Sequence, residues 1–251
     1  MPKTLGIIPS RLESSRIYQK PLKKVHGIPL VLHVYERARL AKTLDKILVA
    51  TDSVVIKDLV ESNGGEAMLT SKDHLNGTER MGEVLEKHPD YDLYTLINGD
   101  EILLNPTSID TSVELMVQNP GYDASLLAVP FERKNSGHDF KVVLNQKNEL
   151  MYISRADIPS EARNSVGSRL KAYHLMTFHP ETIHKYKQLD KTPLEKIEDH
   201  EHLRLLETGS RIICQVVDDE CISLDSESDL ERILHSLSQD TLFKEYASKI
   251  R

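Results

Sequence analysis

Asp100 and Asp225 are the two carboxylates of this chain best placed by their neighbours to hold a divalent cation. Asp100 lies in Asn98-Gly99-Asp100-Glu101, directly after the apolar run from Tyr94 to Ile97. A carboxylate at the C-terminal end of a buried strand, preceded by a glycine that permits close backbone approach, suits a magnesium ion bridging phosphate oxygens. Gly-Asp also marks ordinary turns. Asp225 follows Cys221-Ile222-Ser223-Leu224 and precedes Ser226-Glu227-Ser228-Asp229-Leu230, where aspartate commonly caps a helix. Both duties can fall on one side chain.

A second group is basic. Arg11, Arg16 and Lys20 fall in the segment that follows the first apolar run. Arginine and lysine give charge-assisted hydrogen bonds to polyphosphate. Charge alone describes a solvated loop; its position after strand one favours phosphate binding. It is not a dinucleotide fingerprint, since Gly6 and Gly27 are too far apart for GxGxxG and no GxxxxGK[ST] occurs. His200 and His202, flanked by Glu198 and Glu201, hint at a metal site. Helical residues at i and i+2 point apart, however, so both are expected on a solvated or dimer-facing surface.

Positioning these groups requires strands that end on a common edge. Leu5 to Pro9, Ile47 to Thr51, Ala67 to Thr70 and Tyr94 to Ile97 read as strands. Between them, Leu30, Val31, Val34, Ala38 and Ala41 fall on one helical face, and Val55 to Val60 and Thr78 to Lys87 read as helices. Alternation of this kind implies βαβ units, a parallel sheet and a ligand site at the strand ends. From Ala124 the rhythm changes: 124–130, 140–144, 150–154 and 173–178 are strand-like with little helix between. Helices return at 193–207 and 226–237, with a strand at 211–217. The expected organisation is an α/β domain of residues 1–123 and 190–251, interrupted by an antiparallel insertion, 124–189.

Composition narrows the function. The 251 residues include 39% hydrophobic and 28% charged side chains, as in ordinary globular proteins, and the net charge of −7 argues against a general nucleic-acid binder. No apolar run approaches the ~20 residues that span a bilayer, and no signal peptide is recognisable, so a cytoplasmic protein without membrane partners is expected. Cys214 and Cys221 have neither metal-site nor disulfide spacing.

Taken together, several motifs resemble the bacterial 3-deoxy-manno-octulosonate (Kdo) cytidylyltransferases. They include Ile7-Ile8-Pro9-Ser10-Arg11, Lys20-Pro21-Leu22, Gly77-Thr78-Glu79-Arg80, Lys141-Val142-Val143-Leu144, Ser154-Arg155-Ala156-Asp157 and Leu224-Asp225. They occur in family order across nearly the whole chain. The resemblance implies a nucleotide-diphospho-sugar transferase-like (Rossmann-like) α/β fold, with a mostly parallel sheet, a small antiparallel dimerisation insertion and a homodimer. It implies transfer of CMP from CTP to an acidic keto sugar for lipopolysaccharide biosynthesis, with Mg²⁺ as cofactor. Arg11, Arg16, Lys20, Gly77, Thr78 and Arg80 then bind CTP. Asp100 and Asp225 hold the metal and share the catalytic role with Lys20. Arg155 and Glu201 match positions that face the sugar, as does Asn98.

Departures cluster on the sugar side. Asn98 stands for the family's glutamine, and Ile102 for its proline. Ala172-Tyr173-His174-Leu175-Met176 replaces His-Leu-Gly-Ile-Tyr, which removes a histidine and a tyrosine expected to touch the sugar. Gln19 stands for the glycine before the loop lysine. His174 is either a replacement sugar contact or an ordinary strand histidine. The pattern suggests Kdo or an amino-substituted Kdo. The alternatives are a nucleotidyltransferase for another acid such as a phosphonate, and an inactive nucleotide-binding homologue.

Overall fold

The computed structural model describes residues 1–13, 17–220, 222–224 and 227–250. Arg16 and Asp225 lie outside the described residues. In chain order come β1 (Thr4–Ser10), β2 (Lys24–Val25), β3 (Ile28–Pro29), α1 (Leu30–Ala38), β4 (Lys46–Thr51), α2 (Val54–Ser62), β5 (Ala67–Leu69), α3 (Gly77–Lys87), β6 (Leu93–Ile97) and α4 (Pro106–Gln118). The second half holds β7 (Ala124–Phe131), β8 (Lys141–Leu144), β9 (Leu150–Ser154), β10 (Arg169–Phe178), α5 (Pro180–Gln188), α6 (Pro193–Glu198), α7 (Leu203–Glu207), β11 (Ile212–Val216), α8 (Glu227–Gln239) and α9 (Thr241–Ala247).

The main sheet runs β11-β7-β10-β6-β1-β4-β5. β4 and β6 flank β1 in parallel, β5 joins β4 in parallel, β11 joins β7 in parallel, and β10 alone on this path runs antiparallel to its neighbours. The expected mostly parallel α/β sheet is therefore present, and β2 and β3 form a small antiparallel pair. The segment 124–189 does not make a sheet of its own. β7 and β10 lie within the main sheet, while β8 and β9 form a hairpin off β10.

Period-two alternation explains how both faces are covered. Leu5 and Ile7 enter one core with Leu48, Ala50, Leu126 and Ala128, while Ile8 enters the other with Val49, Leu127 and Val129. α1 is buried along its whole length because α9 closes over it: His33 Nδ1 lies 2.6 Å from the Tyr246 hydroxyl, and Arg37 pairs with Asp240. No helix among the described residues is long and apolar enough to cross a membrane.

Two expectations need correction. The segment 193–207 is not one helix: Asp199 takes left-handed backbone (φ 50°, ψ 52°) and ends α6, and α7 starts at Leu203. The 3.6-residue geometry therefore does not reach His200 and His202, and both are buried rather than solvated or dimer-facing. Helices α4, α5 and α9 are also additions to the pattern read from the sequence. In two of them the signal is present there, since Asn105-Pro106 and His179-Pro180 put proline at the first helical turn.

Candidate active site

The parallel register sets β1, β4 and β6 side by side, with Ser10 opposite Thr51 and Ile7 opposite Leu96. The loops after these strands converge on one edge, where they border a cavity of about 590 Å³. Gly99 makes the convergence possible, because a Cβ there would sit 2.7 Å from the Pro9 carbonyl oxygen. Close approach is thus the role of this glycine, as its place before Asp100 suggested.

Arg11, Lys20, Gly77, Arg80, Asn98, Asp100, Arg155, His174 and Glu201 all border this cavity, so residues far apart in sequence meet there. Lys20 Nζ lies 2.6 Å from Asp100 Oδ2, and both side chains are largely buried. The turn that delivers Lys20 starts at Gln19, whose backbone is left-handed (φ 47°, ψ 46°). A side chain at that geometry costs roughly 1–2 kcal/mol, which accounts for the glycine expected there. Asp100 Oδ1 is buried and has no hydrogen-bond partner among the described residues. An orphaned carboxylate oxygen is what a divalent cation would satisfy, so Asp100 fits the expected magnesium ion. Leu224, the neighbour of Asp225 in sequence, donates its N–H to the Asp100 carbonyl at 3.4 Å.

The nucleotide-side expectations divide. Arg80 lies on the cavity, yet its Nη1 donates to Thr70 and to the Ser71 carbonyl (3.2 Å), and burial lowers its pKa, with Asp52 opposing. Thr78 points elsewhere: its hydroxyl and N–H both donate to Glu201 Oε1, at 2.5 and 3.1 Å. Glu201 therefore caps the N-terminus of α3 while also facing the cavity, a placement the helix dipole favours. Burial raises its pKa.

Arg155 is held tightly. Its guanidinium stacks 4.2 Å over the Phe140 ring, Nε donates to the Glu198 carbonyl (2.9 Å) and Nη1 to the Gly137 carbonyl (2.8 Å). Lys191, Lys196, His200 and His202 also border the cavity. Sequence reasoning does not place them there because they sit on the broken segment between α5 and α7. A second cavity of about 660 Å³ shares Asn98, Asp100, Phe140 and His174 with the first, so Asp100 stands where the two meet.

Burial holds the pKa of His33, His174 and His202 near 4, and that of His200 well below its usual value. The unfolded chain takes up protons below about pH 6.5 while the folded chain stays neutral, so this stability is present above 6.5 and lost as pH falls toward 4. Glu201, with its raised pKa, acts in the opposite direction. The net expectation is a thermal unfolding midpoint roughly 5 °C or more lower at pH 5 than at pH 7.5. Equal midpoints would mean that these imidazoles are protonated without strain.

Comparison with known proteins gives the family and the fold. A model of the family described as Cytidylyltransferase matches residues 5–212. A Fusobacterium nucleatum protein named 3-deoxy-manno-octulosonate cytidylyltransferase is 34% identical over 243 residues, covering 96% of this chain and 99% of that one. The chain belongs to this family. A protein of the same name from Chlamydia pneumoniae is 36% identical, with 91% of each chain covered. The solved structure of CMP:2-keto-3-deoxy-manno-octonic acid synthetase complexed with CTP superposes with a TM-score of 0.88 at 30% identity, covering 94% of this chain and 99% of that one. A structure described as a cytidylyltransferase from Leptospira borgpetersenii, at 15% identity and a TM-score of 0.67, shares the fold alone. The family makes the chain a nucleotidyltransferase enzyme.

Proposed function

We propose that this chain transfers CMP from CTP to the anomeric hydroxyl of Kdo or an amino-substituted Kdo, releasing pyrophosphate. The observation that carries this reading is the meeting of Arg11, Lys20, Asp100 and Arg155 on one cavity at the sheet edge. The sugar oxygen bonds to the α-phosphorus as the bond to the β-phosphate bridge breaks, and the hydroxyl proton is released. Little covalent work falls to the protein; it positions the two substrates and offsets their charge.

Arg11 and Lys20 supply cations to the triphosphate, and Arg16 belongs to the same set by sequence. Triphosphate binding competes with Asp100 for Lys20, which frees a carboxylate. Asp100 and Asp225 are the residues that would hold Mg²⁺, and the bound ion would offset charge on the phosphate oxygens. Arg155 Nη2 pairs with Asp199 Oδ2 at 3.4 Å, and the Asp199 side chain is 90% exposed, so the acceptor's carboxylate would take the place of that loosely held partner. Two copies are proposed to pair through the 124–189 segment, which light scattering tests.

Pyrophosphate release tests the reaction. With CTP and Mg²⁺, release is expected only when Kdo or its amino-substituted counterpart is present, and UTP or ATP should not replace CTP. Release with a phosphonate in place of a keto-sugar acid would overturn the acceptor assignment. Failure with every acceptor would leave a nucleotide-binding protein only.

A further inference from the structure

His174, His200 and Phe140 make a continuous wall beside Arg155. The Phe140 ring lies 4.2 Å from His200 and 5.7 Å from His174, and the two imidazoles stack at 5.9 Å. Arg155 covers the Phe140 ring at 4.2 Å. The backbone is shaped to present this wall. The β10–β7 register shifts between Tyr173 and Met176, so His174 sits in an irregularity of an otherwise regular strand, a device that re-aims side chains next to active sites. The left-handed Asp199 breaks the chain so that His200 turns inward.

The hydrogen bonds give each ring a chemical role. The His202 N–H donates to His200 Nδ1 at 3.4 Å, so an uncharged His200 carries its proton on Nε2 and donates from there. His200 Nε2 and both ring nitrogens of His174 have no hydrogen-bond partner among the described residues. One ring thus offers a donor, and its neighbour is free to offer a lone pair. A carboxylate, which only accepts, would face the lone pair offered by His174, and an ammonium, which only donates, would meet the His200 proton. A hydroxyl, which both accepts and donates, suits both.

We propose that His174 and His200 read a hydroxyl of the acceptor acid, with His200 Nε2 donating to it and His174 accepting from it. This rests on the proposed function: the acceptor's carboxylate lies at Arg155 and its reacting hydroxyl near Asp100, which leaves a further hydroxyl facing the histidine wall. The pair determines specificity and takes no part in bond making.

Steady-state kinetics with CTP, Mg²⁺, Kdo and Kdo analogues each lacking one hydroxyl test this. For the parent protein, one analogue is expected to lose about tenfold or more in kcat/KM. His200→Leu and His174→Phe are expected to raise the KM for Kdo about tenfold, to leave the KM for CTP within about twofold and to remove the discrimination against that one analogue. His200→Gln, which keeps an N–H donor, should restore part of it. Unfolding midpoints near the parent value identify variants that remain folded. Unchanged discrimination in both folded variants, or an equal rise in the KM for CTP, would overturn the inference. If the parent turns over no keto-sugar acid, the proposed function fails instead.

Discussion

Asp100→Asn is expected to lower turnover by at least roughly 10²–10³-fold, the scale of removing one group that stabilises developing charge. The substitution keeps the shape of the side chain and removes its negative charge. Two consequences follow from the geometry. Lys20, at 2.6 Å from Asp100 Oδ2, loses its ionic partner. The orphaned Oδ1 position, buried and without a donor, can no longer attract a cation. Folding should be affected less than turnover, since the amide is isosteric with the carboxylate and its oxygen still accepts a hydrogen bond from Lys20. Pyrophosphate release measured beside thermal unfolding separates the two effects. Turnover near the parent level in a folded Asp100→Asn variant would remove Asp100 from the proposed metal site. A KM for CTP that rises as turnover falls would place its main effect in triphosphate binding.

Much of the strand framework was legible because fully buried parallel strands leave continuous apolar runs. β1, β4 and β6 show this, and the chemistry-bearing residues follow directly after two of them. Gly99 was legible for the same reason: a glycine between a strand end and a carboxylate implied the close approach that the Pro9 carbonyl imposes. The turn after α6 was not legible. Residues 193–207 carry apolar positions at helical spacing, and nothing local announces that Asp199 will take left-handed geometry. That single backbone state separates a solvated pair of histidines from a buried one. Glu201 shows a further limit: its role as a cap for α3 depends on Thr78, 123 positions earlier in the chain.

Glu195→Gln is expected to cost about 3 kcal/mol, a fall of roughly 6–12 °C in the unfolding midpoint for a chain of this size. Glu195 and Arg204 form a two-pronged pair, Nε to Oε2 at 2.7 Å and Nη2 to Oε1 at 2.6 Å, and each side chain is only 4% exposed. Arg204 stacks 4.1 Å over the Tyr186 ring, donates to the Leu189 carbonyl (3.2 Å) and reaches Glu79 of α3 at 3.4 Å. The pair therefore ties α6, α7 and α3 together around the turn that carries His200 and Glu201. Neutralising Glu195 leaves a buried guanidinium short of one charge, and such a loss costs more than the intact pair contributes. The paired variant Glu195→Gln with Arg204→Met should accordingly recover stability over Glu195→Gln alone, because no buried cation remains. Thermal unfolding of the parent, both single variants and the double variant measures the coupling. Strict additivity would show that the two side chains are held independently. Coupling accompanied by a raised KM for the acceptor in the folded double variant would show that the pair's geometry, beyond its stability, sets the histidine wall.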